Sequence, residues 1–317
     1  MYSRSTKTVL SLLGLLAAVA LVVAGGTSAS ASQSSLECLE YPPTIVGTPG
    51  DDTIVGTSDD DVIVGLSGND TIEGFDGDDL ICGGEGNDVV RGGEGFDLLM
   101  ADAGDDALDG GEDLDLVAFL DAPGPVNASL VTGTATGFGS DTLVGDEAFV
   151  GSQFNDTLEG DTQDNYIDGQ PGDDVISLHE GADVADGDAG NDQIDGGPGE
   201  DLVFFDYSPA AVTANLTRDF AKGWGNDQLV NIEDLHGSRY GDRLTGGPER
   251  NELSGHGGND QIVGNGGNDL LKGEQGADSL GGGPGADRLE GGPGRDYLDG
   301  GPGRDRCVTG ERKRSCP

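Results

Sequence analysis

The nine residues Gly83 to Arg91, GGEGNDVVR, recur in variant form along most of the chain, and this period limits the possible folds more than any other feature. Set in a nine-residue frame without gaps, residues 47–118 hold eight copies, 151–204 six and 237–308 eight. Position 1 is Gly except at Ala101 and Leu178, position 6 is Asp except at Asn165 and Asn251, and position 8 is Ile, Val or Leu except at Ala185 and Cys307. Three fixed columns of different chemistry are not a by-product of a Gly-rich, acidic composition. The chain is an array of short units that must stack to bury anything.

Each column has a physical task. Position 8, flanked by residues that vary, reads as the single inward side chain of a three-residue strand, because alternate strand residues face opposite sides. Gly at positions 1 and 4 can take positive φ, so a six-residue half-loop can turn sharply and aim its carbonyl oxygens at one centre. Asp at position 6 adds a carboxylate to those carbonyls. Hard oxygen donors without His or Cys among them suit Ca²⁺, which accepts six to eight oxygens in loose geometry.

The phrase GG-x-G-x-D-x-U-x, with U apolar, resembles the repeats-in-toxin (hemolysin-type) calcium-binding nonapeptide proteins. The resemblance implies an all-β chain forming a right-handed parallel β-roll, a β-solenoid with two copies per turn and Ca²⁺ held between loops of copies i and i+2. Carried onto this chain, it implies metal ligands at Asp52, Asp61, Asp70, Asp79, Asp88, Asp97 and Asp106 in the first block. In the second block they are Asp174, Asp183 and Asp192, and in the third Asp260, Asp269, Asp278, Asp287 and Asp296. At most about 16 ions fit such loop pairs. The loops just after each interruption, with Phe154 and Gln163 or Tyr240 and Glu249 at position 4, are expected to bind weakly or not at all.

Sixty acidic against 16 basic residues give a formal charge of −44. Runs such as Asp59-Asp60-Asp61 set carboxylates side by side, and without a cation the compact state is penalised at every loop. High net charge with modest apolar content also marks disorder, so folding is expected to be coupled to calcium. The acidity excludes nucleic acid as a partner, since that requires the opposite sign. Residues 1–31 read as a secretory signal peptide: Arg4 and Lys7, the apolar run Val9 to Val23, then the small residues Ala29-Ser30-Ala31 before Ser32. No other apolar run is long enough to span a membrane, so the mature chain is expected outside the cell after cleavage near Ala31.

Two stretches, 119–150 and 205–236, interrupt the frame and are copies of each other, with Phe119 matching Phe205, Pro123 matching Pro209, Leu143 matching Leu229 and Glu147 matching Glu233. Val126, Ala128, Leu130 and Val212, Ala214, Leu216 alternate at period two, so each insert reads as a β-hairpin that caps one stretch of roll and starts the next. The organisation expected is a signal peptide (1–31), an N-terminal cap (32–46), repeat block one (47–118), a hairpin insert (119–150), block two (151–204), a second hairpin insert (205–236), block three (237–308) and a basic tail (309–317).

Four cysteines in a secreted chain suggest disulfides; Cys307 and Cys316 are close enough to staple the last turn, which leaves Cys38 with Cys82. The three histidines, His179, His236 and His256, have no Ser or Cys partner at a recognisable spacing and are expected to be solvated. Outside the repeats the mature chain has only four short pieces, none long enough for a catalytic domain. The function expected is therefore not enzymatic: a secreted calcium-binding repeat protein with a structural, scaffolding or adhesion role. The alternatives are an extracellular surface-recognition module for polysaccharide or ice, or the non-catalytic part of a secreted enzyme. A regular row of Thr or aromatic residues at position 7 or 9 would favour recognition; position 7 of the first block runs Thr, Val, Thr, Leu, Val, Leu, Ala, Leu, which gives no such row.

Overall fold

The computed structural model describes residues 38, 39, 41–310 and 312–316, so the signal peptide expected at 1–31 and residues 32–37 and 40 of the cap expected at 32–46 lie outside the described residues. The described chain is all-β, with one short 3₁₀ turn at Leu216–Arg218 and strands mostly of three residues, the longest of six. It divides into two compact units, Met1–Gln153 and Phe154–Pro317.

Each unit is a parallel β-solenoid with two strands per turn. Alternate copies fall on opposite sheets, so that Thr53–Val55 pairs with Thr71–Asp76 while Val62–Val64 pairs with Leu80–Cys82, both 18 residues apart in register. In the first unit one sheet stacks Ile45–Val46, Val62–Val64, Leu80–Cys82, Leu98–Met100, Leu116–Ala118 and Ala148–Val150, all parallel. The second unit builds its equivalent from Tyr166–Asp168 to Arg306–Val308. The first strand, Ile45–Val46, lies within the expected cap, and Arg312–Arg314 in the expected tail pairs with Tyr297–Asp299 as a last strand.

The core is the position-8 column. Ile63, Ile72, Ile81, Leu99, Ile167, Ile176, Leu253, Ile262, Leu271 and Leu289 are all fully buried. In-register stacking puts each directly over its equivalent one turn away, as Ile63 over Ile81 and Leu271 over Leu289. One apolar residue in nine is then enough, because every turn covers the one before it.

The first insert joins the sheet it interrupts. Asn127–Ser129, Thr134–Thr136 and Ser140–Val144 form an antiparallel run, and Ser140–Val144 stacks parallel on Ala107–Glu112. Ala148–Val150 then stacks on Leu116–Ala118, so both sheets regain their register despite the extra residues. The second insert lies inside the second unit. There Asn226–Val230 stacks on Gln193–Asp195, Phe220–Lys222 and Thr213–Asn215 follow antiparallel, and the next turn, Arg243–Thr245, pairs with Thr213–Asn215. Both disulfides are formed, Cys38–Cys82 and Cys307–Cys316.

Candidate metal centres

The position-6 side chains point into the loops at each edge of the sheets, where they do two things at once. One carboxylate oxygen stitches the turns together: Oδ1 of Asp70, Asp79, Asp88, Asp97 and Asp106 accepts from the backbone N–H of the residue 18 earlier, at 2.7 to 2.9 Å. The same ladder runs through Asp174, Asp183 and Asp192 and through Asp260, Asp269, Asp278, Asp287 and Asp296. The other oxygen is buried and has no hydrogen-bond partner at Asp70, Asp79, Asp88, Asp97, Asp174, Asp183, Asp192, Asp260, Asp269, Asp278, Asp287 and Asp296. A buried carboxylate oxygen left unsatisfied so many times in one chain points to a bound positive charge.

The glycines of position 1 show what else converges there. A Cβ on Gly74 would stand 2.2 Å from Asp79 Oδ2 and 2.6 Å from the carbonyl oxygen of Gly92, one turn on; on Gly282 it would stand 2.3 Å from Asp287 Oδ2 and 2.6 Å from the carbonyl of Gly300. The free carboxylate oxygen and a backbone carbonyl therefore face the same small space, and any side chain would fill it. This alters the reason for the position-1 glycine. Positive φ is found at positions 2 and 4, as at Gly84 and Gly86 or Gly292 and Gly294, while no position-1 residue among those described adopts it. Position 1 is Gly because two oxygens approach it closely.

Two residues expected as ligands differ from the rest. Asp52 and Asp61 use Oδ2 within their own loops, accepting from the backbone N–H and hydroxyl of Thr48 and Thr57 at 2.6 to 2.9 Å. Burial works against ionisation of Asp61, but the hydrogen bonds from Thr44 and Thr57 outweigh it and hold its carboxyl below the usual range. The irregular loops of the second unit close in the same way. Asp242 accepts from Ser238, Asn165 Oδ1 from Asp161 N–H and Asn251 Oδ1 from Gly247 N–H. In these loops a position-2 N–H supplies the positive end of a dipole; in the regular loops nothing does.

Other members of the ladder escape the nine-residue frame or sit at its ends. Asp115, Asp201 and Asp305 carry the same buried, unpartnered Oδ2. Within the inserts Asp141 accepts from Asp106 N–H across 35 residues and Asp227 from Asp192 N–H, while Glu147 and Glu233 accept from Asp115 and Asp201. Their signal was in the sequence: Asp141 and Asp227 each precede an apolar residue by two places, Leu143 and Leu229, and the spacing recurs at Glu147 with Phe149.

Burial sets the electrostatics. It pushes Asp97 up to about 7, against the lowering hydrogen bond from Asp79 N–H and with help from the charges of Asp79 and Asp78. By the same causes Asp174 rises to about 8, Asp183, Asp192 and Asp260 to about 7, and Asp79, Asp269 and Asp278 to about 6. Carboxylates held this high gain strongly from a cation that offsets both burial and mutual repulsion. The donor set is entirely oxygen, which fits a hard cation such as Ca²⁺.

The sequence matches the RTX calcium-binding nonapeptide repeat at residues 44–69, 55–90, 83–117, 150–185, 179–206, 236–271 and 272–307, well over half of the chain. No curated protein matches the chain. Among the described residues no helix is long and apolar enough to cross a membrane.

Proposed function

Because the chain belongs to the RTX calcium-binding nonapeptide repeat family, whose repeats bind Ca²⁺, we propose that it is a secreted, non-catalytic protein that folds as it loads many calcium ions and serves a structural, scaffolding or adhesion role outside the cell. The observation that carries this reading is the file of buried Asp Oδ2 atoms, each without a partner; at Asp70, Asp79, Asp97, Asp269, Asp278, Asp287 and Asp296 a backbone carbonyl of the neighbouring turn faces the same space. Asp70, Asp79, Asp88, Asp97 and Asp106 in the first unit, and Asp174, Asp183, Asp192, Asp260, Asp269, Asp278, Asp287 and Asp296 in the second, are the ligands proposed. Asp52 and Asp61 hold weaker sites, since Thr48 and Thr57 already occupy their second oxygens.

When bound, the ion supplies the positive charge that lets adjacent loops approach. The chain's own residues do the rest: position 6 ties each turn to the one before it, position 1 leaves the space open, and position 8 seals the interior. Two disulfides support an oxidising, extracellular setting. Extracellular Ca²⁺ modules bind at about 10⁻⁴ to 10⁻³ M, so folding would await export into millimolar calcium. Circular dichroism of the purified protein at neutral pH tests this. Strand signal should develop cooperatively on adding Ca²⁺ and not on adding Mg²⁺, whereas full strand signal in calcium-stripped protein would refute coupled folding.

A further inference from the structure

One cluster in the second unit departs from the all-oxygen chemistry of the repeats. Asp206 stands where the chain leaves Leu202–Phe204 for the second insert, His236 ends the strand Asp234–His236 by which it returns, and His256 occupies position 2 of a later loop. Stacking brings them together, with one ligand atom of each within 4.8 Å of the other two. His256 Nε2 lies 3.3 Å from Asp206 Oδ1, and the two imidazole centroids are 5.2 Å apart with the rings at 70°. Asp206 Oδ1, His236 Nδ1 and His256 Nε2 are all buried without a hydrogen-bond partner. Two of the three histidines expected to be solvated are therefore gathered with a carboxylate; only His179 stands apart, 2.9 Å from Glu159.

A further carboxylate holds the cluster from behind. Glu274 Oε2 lies 3.6 Å from His256 Nδ1, and Glu274 Oε1 accepts from the Ser254 hydroxyl at 3.0 Å. A carboxylate on the far nitrogen of a ligating imidazole is the usual way such a ring is oriented and its tautomer fixed. The arrangement is not a by-product of the repeat. At the matching places around the first insert the chain has Leu120, Val150 and Gln170, none of which could replace these ligands as a set.

We propose that Asp206, His236 and His256 bind one transition-metal ion of the Zn²⁺ class, with Glu274 as a positioning residue for His256. Two imidazole nitrogens and a carboxylate suit Zn²⁺ or Co²⁺ and are poorly matched to Ca²⁺, which prefers oxygen throughout. The ion would join the two ends of the second insert to a turn of the following block, adding a cross-link to a long excursion.

The test uses the full secreted protein folded in millimolar Ca²⁺, titrated with Zn²⁺ by calorimetry and with Co²⁺ by visible absorption. One tight equivalent is expected, retained in excess Ca²⁺, with Co²⁺ giving the d–d bands of nitrogen ligation. His256→Ala and Asp206→Asn should each abolish that equivalent, Glu274→Gln should weaken it roughly 10- to 100-fold, and His179→Gln should leave it unchanged. Circular dichroism in Ca²⁺ identifies any variant that has not folded, and the two ligand substitutions on separate segments keep the test decisive. Binding no tighter than the weak carboxylate background in the unsubstituted protein, or a tight equivalent that survives both ligand substitutions, would overturn the site.

Discussion

A single aspartate in this fold is asked to satisfy two neighbours, and only one of them is protein. Asp97 Oδ1 accepts from Asp79 N–H at 2.9 Å, while its Oδ2 is buried and unpartnered. Asn251 shows what happens when the charge is removed: its Oδ1 accepts from Gly247 N–H at 2.7 Å and its Nδ2 donates to Glu233 O at 2.6 Å, so the loop closes on itself. Asp97→Asn should therefore lower the calcium count, by one ion if the neighbouring sites are independent, and remove roughly 1.4 kcal/mol at free calcium ten times the Kd. Asp52→Asn should change the count little, since its loop is already closed by Thr48; calorimetric stoichiometry on the two variants decides. Gly74→Ala is the steric counterpart. Its Cβ would meet Asp79 Oδ2 and Gly92 O at well below contact distance, so it should delete the ion at that loop and destabilise the calcium-loaded fold by about 1 to 3 kcal/mol, read from chemical denaturation.

At the scale of elements, strands this short hold only because each lies in register on its equivalent one turn away. The short strand and its inward column were legible in the nine-residue period and the apolar position 8, while two strands per turn is what the resemblance to the RTX repeats implies. The junctions were harder to read. Asp141 and Glu147 join the Asp ladder across 35 and 32 residues, separations that a fixed frame of nine does not contain. The role of the position-1 glycine was hidden for another reason, since close approach between turns leaves no mark on local sequence beyond the glycine itself. The histidine cluster was hidden because its members come from an insert's exit, its return and a later loop. The ends of the array depend on the disulfides, whose sequence separations are 44 for Cys38–Cys82 and 9 for Cys307–Cys316. Loop-closure entropy predicts that losing the first should cost roughly 4 kcal/mol and the second roughly 3 kcal/mol. Denaturation of Cys38→Ser and Cys307→Ser variants in saturating calcium should show that order, and the reverse order would mean that native packing at the C-terminal end, not chain entropy, dominates.

For the molecule as a whole, protons and calcium compete for the same oxygens, and the competition fixes how stability must vary with pH. In the cation-free fold Asp79, Asp97 and Asp174 are raised from 3.8 to about 6, about 7 and about 8, chiefly by burial and further by their neighbours' charge. A group whose folded pKa lies above its unfolded value binds its proton more tightly in the fold. Its stabilising contribution is complete below about pH 3.8 and is lost as pH rises through the folded value. Summed over both units, calcium-stripped protein should therefore be most stable in acid and lose strand structure progressively as pH rises from about 4, with the loss complete by about pH 8, where a chain of formal charge −44 meets its full self-repulsion. Calcium reverses the trend. Because the ion needs the deprotonated oxygen, its apparent affinity should fall as pH is lowered through the same window, with protons released on binding. Circular dichroism against pH, in stripped and in calcium-saturated protein, measures both limbs. A stripped protein whose strand signal is level or rises from pH 4 to pH 8 would show that the buried carboxylates are not what opposes folding.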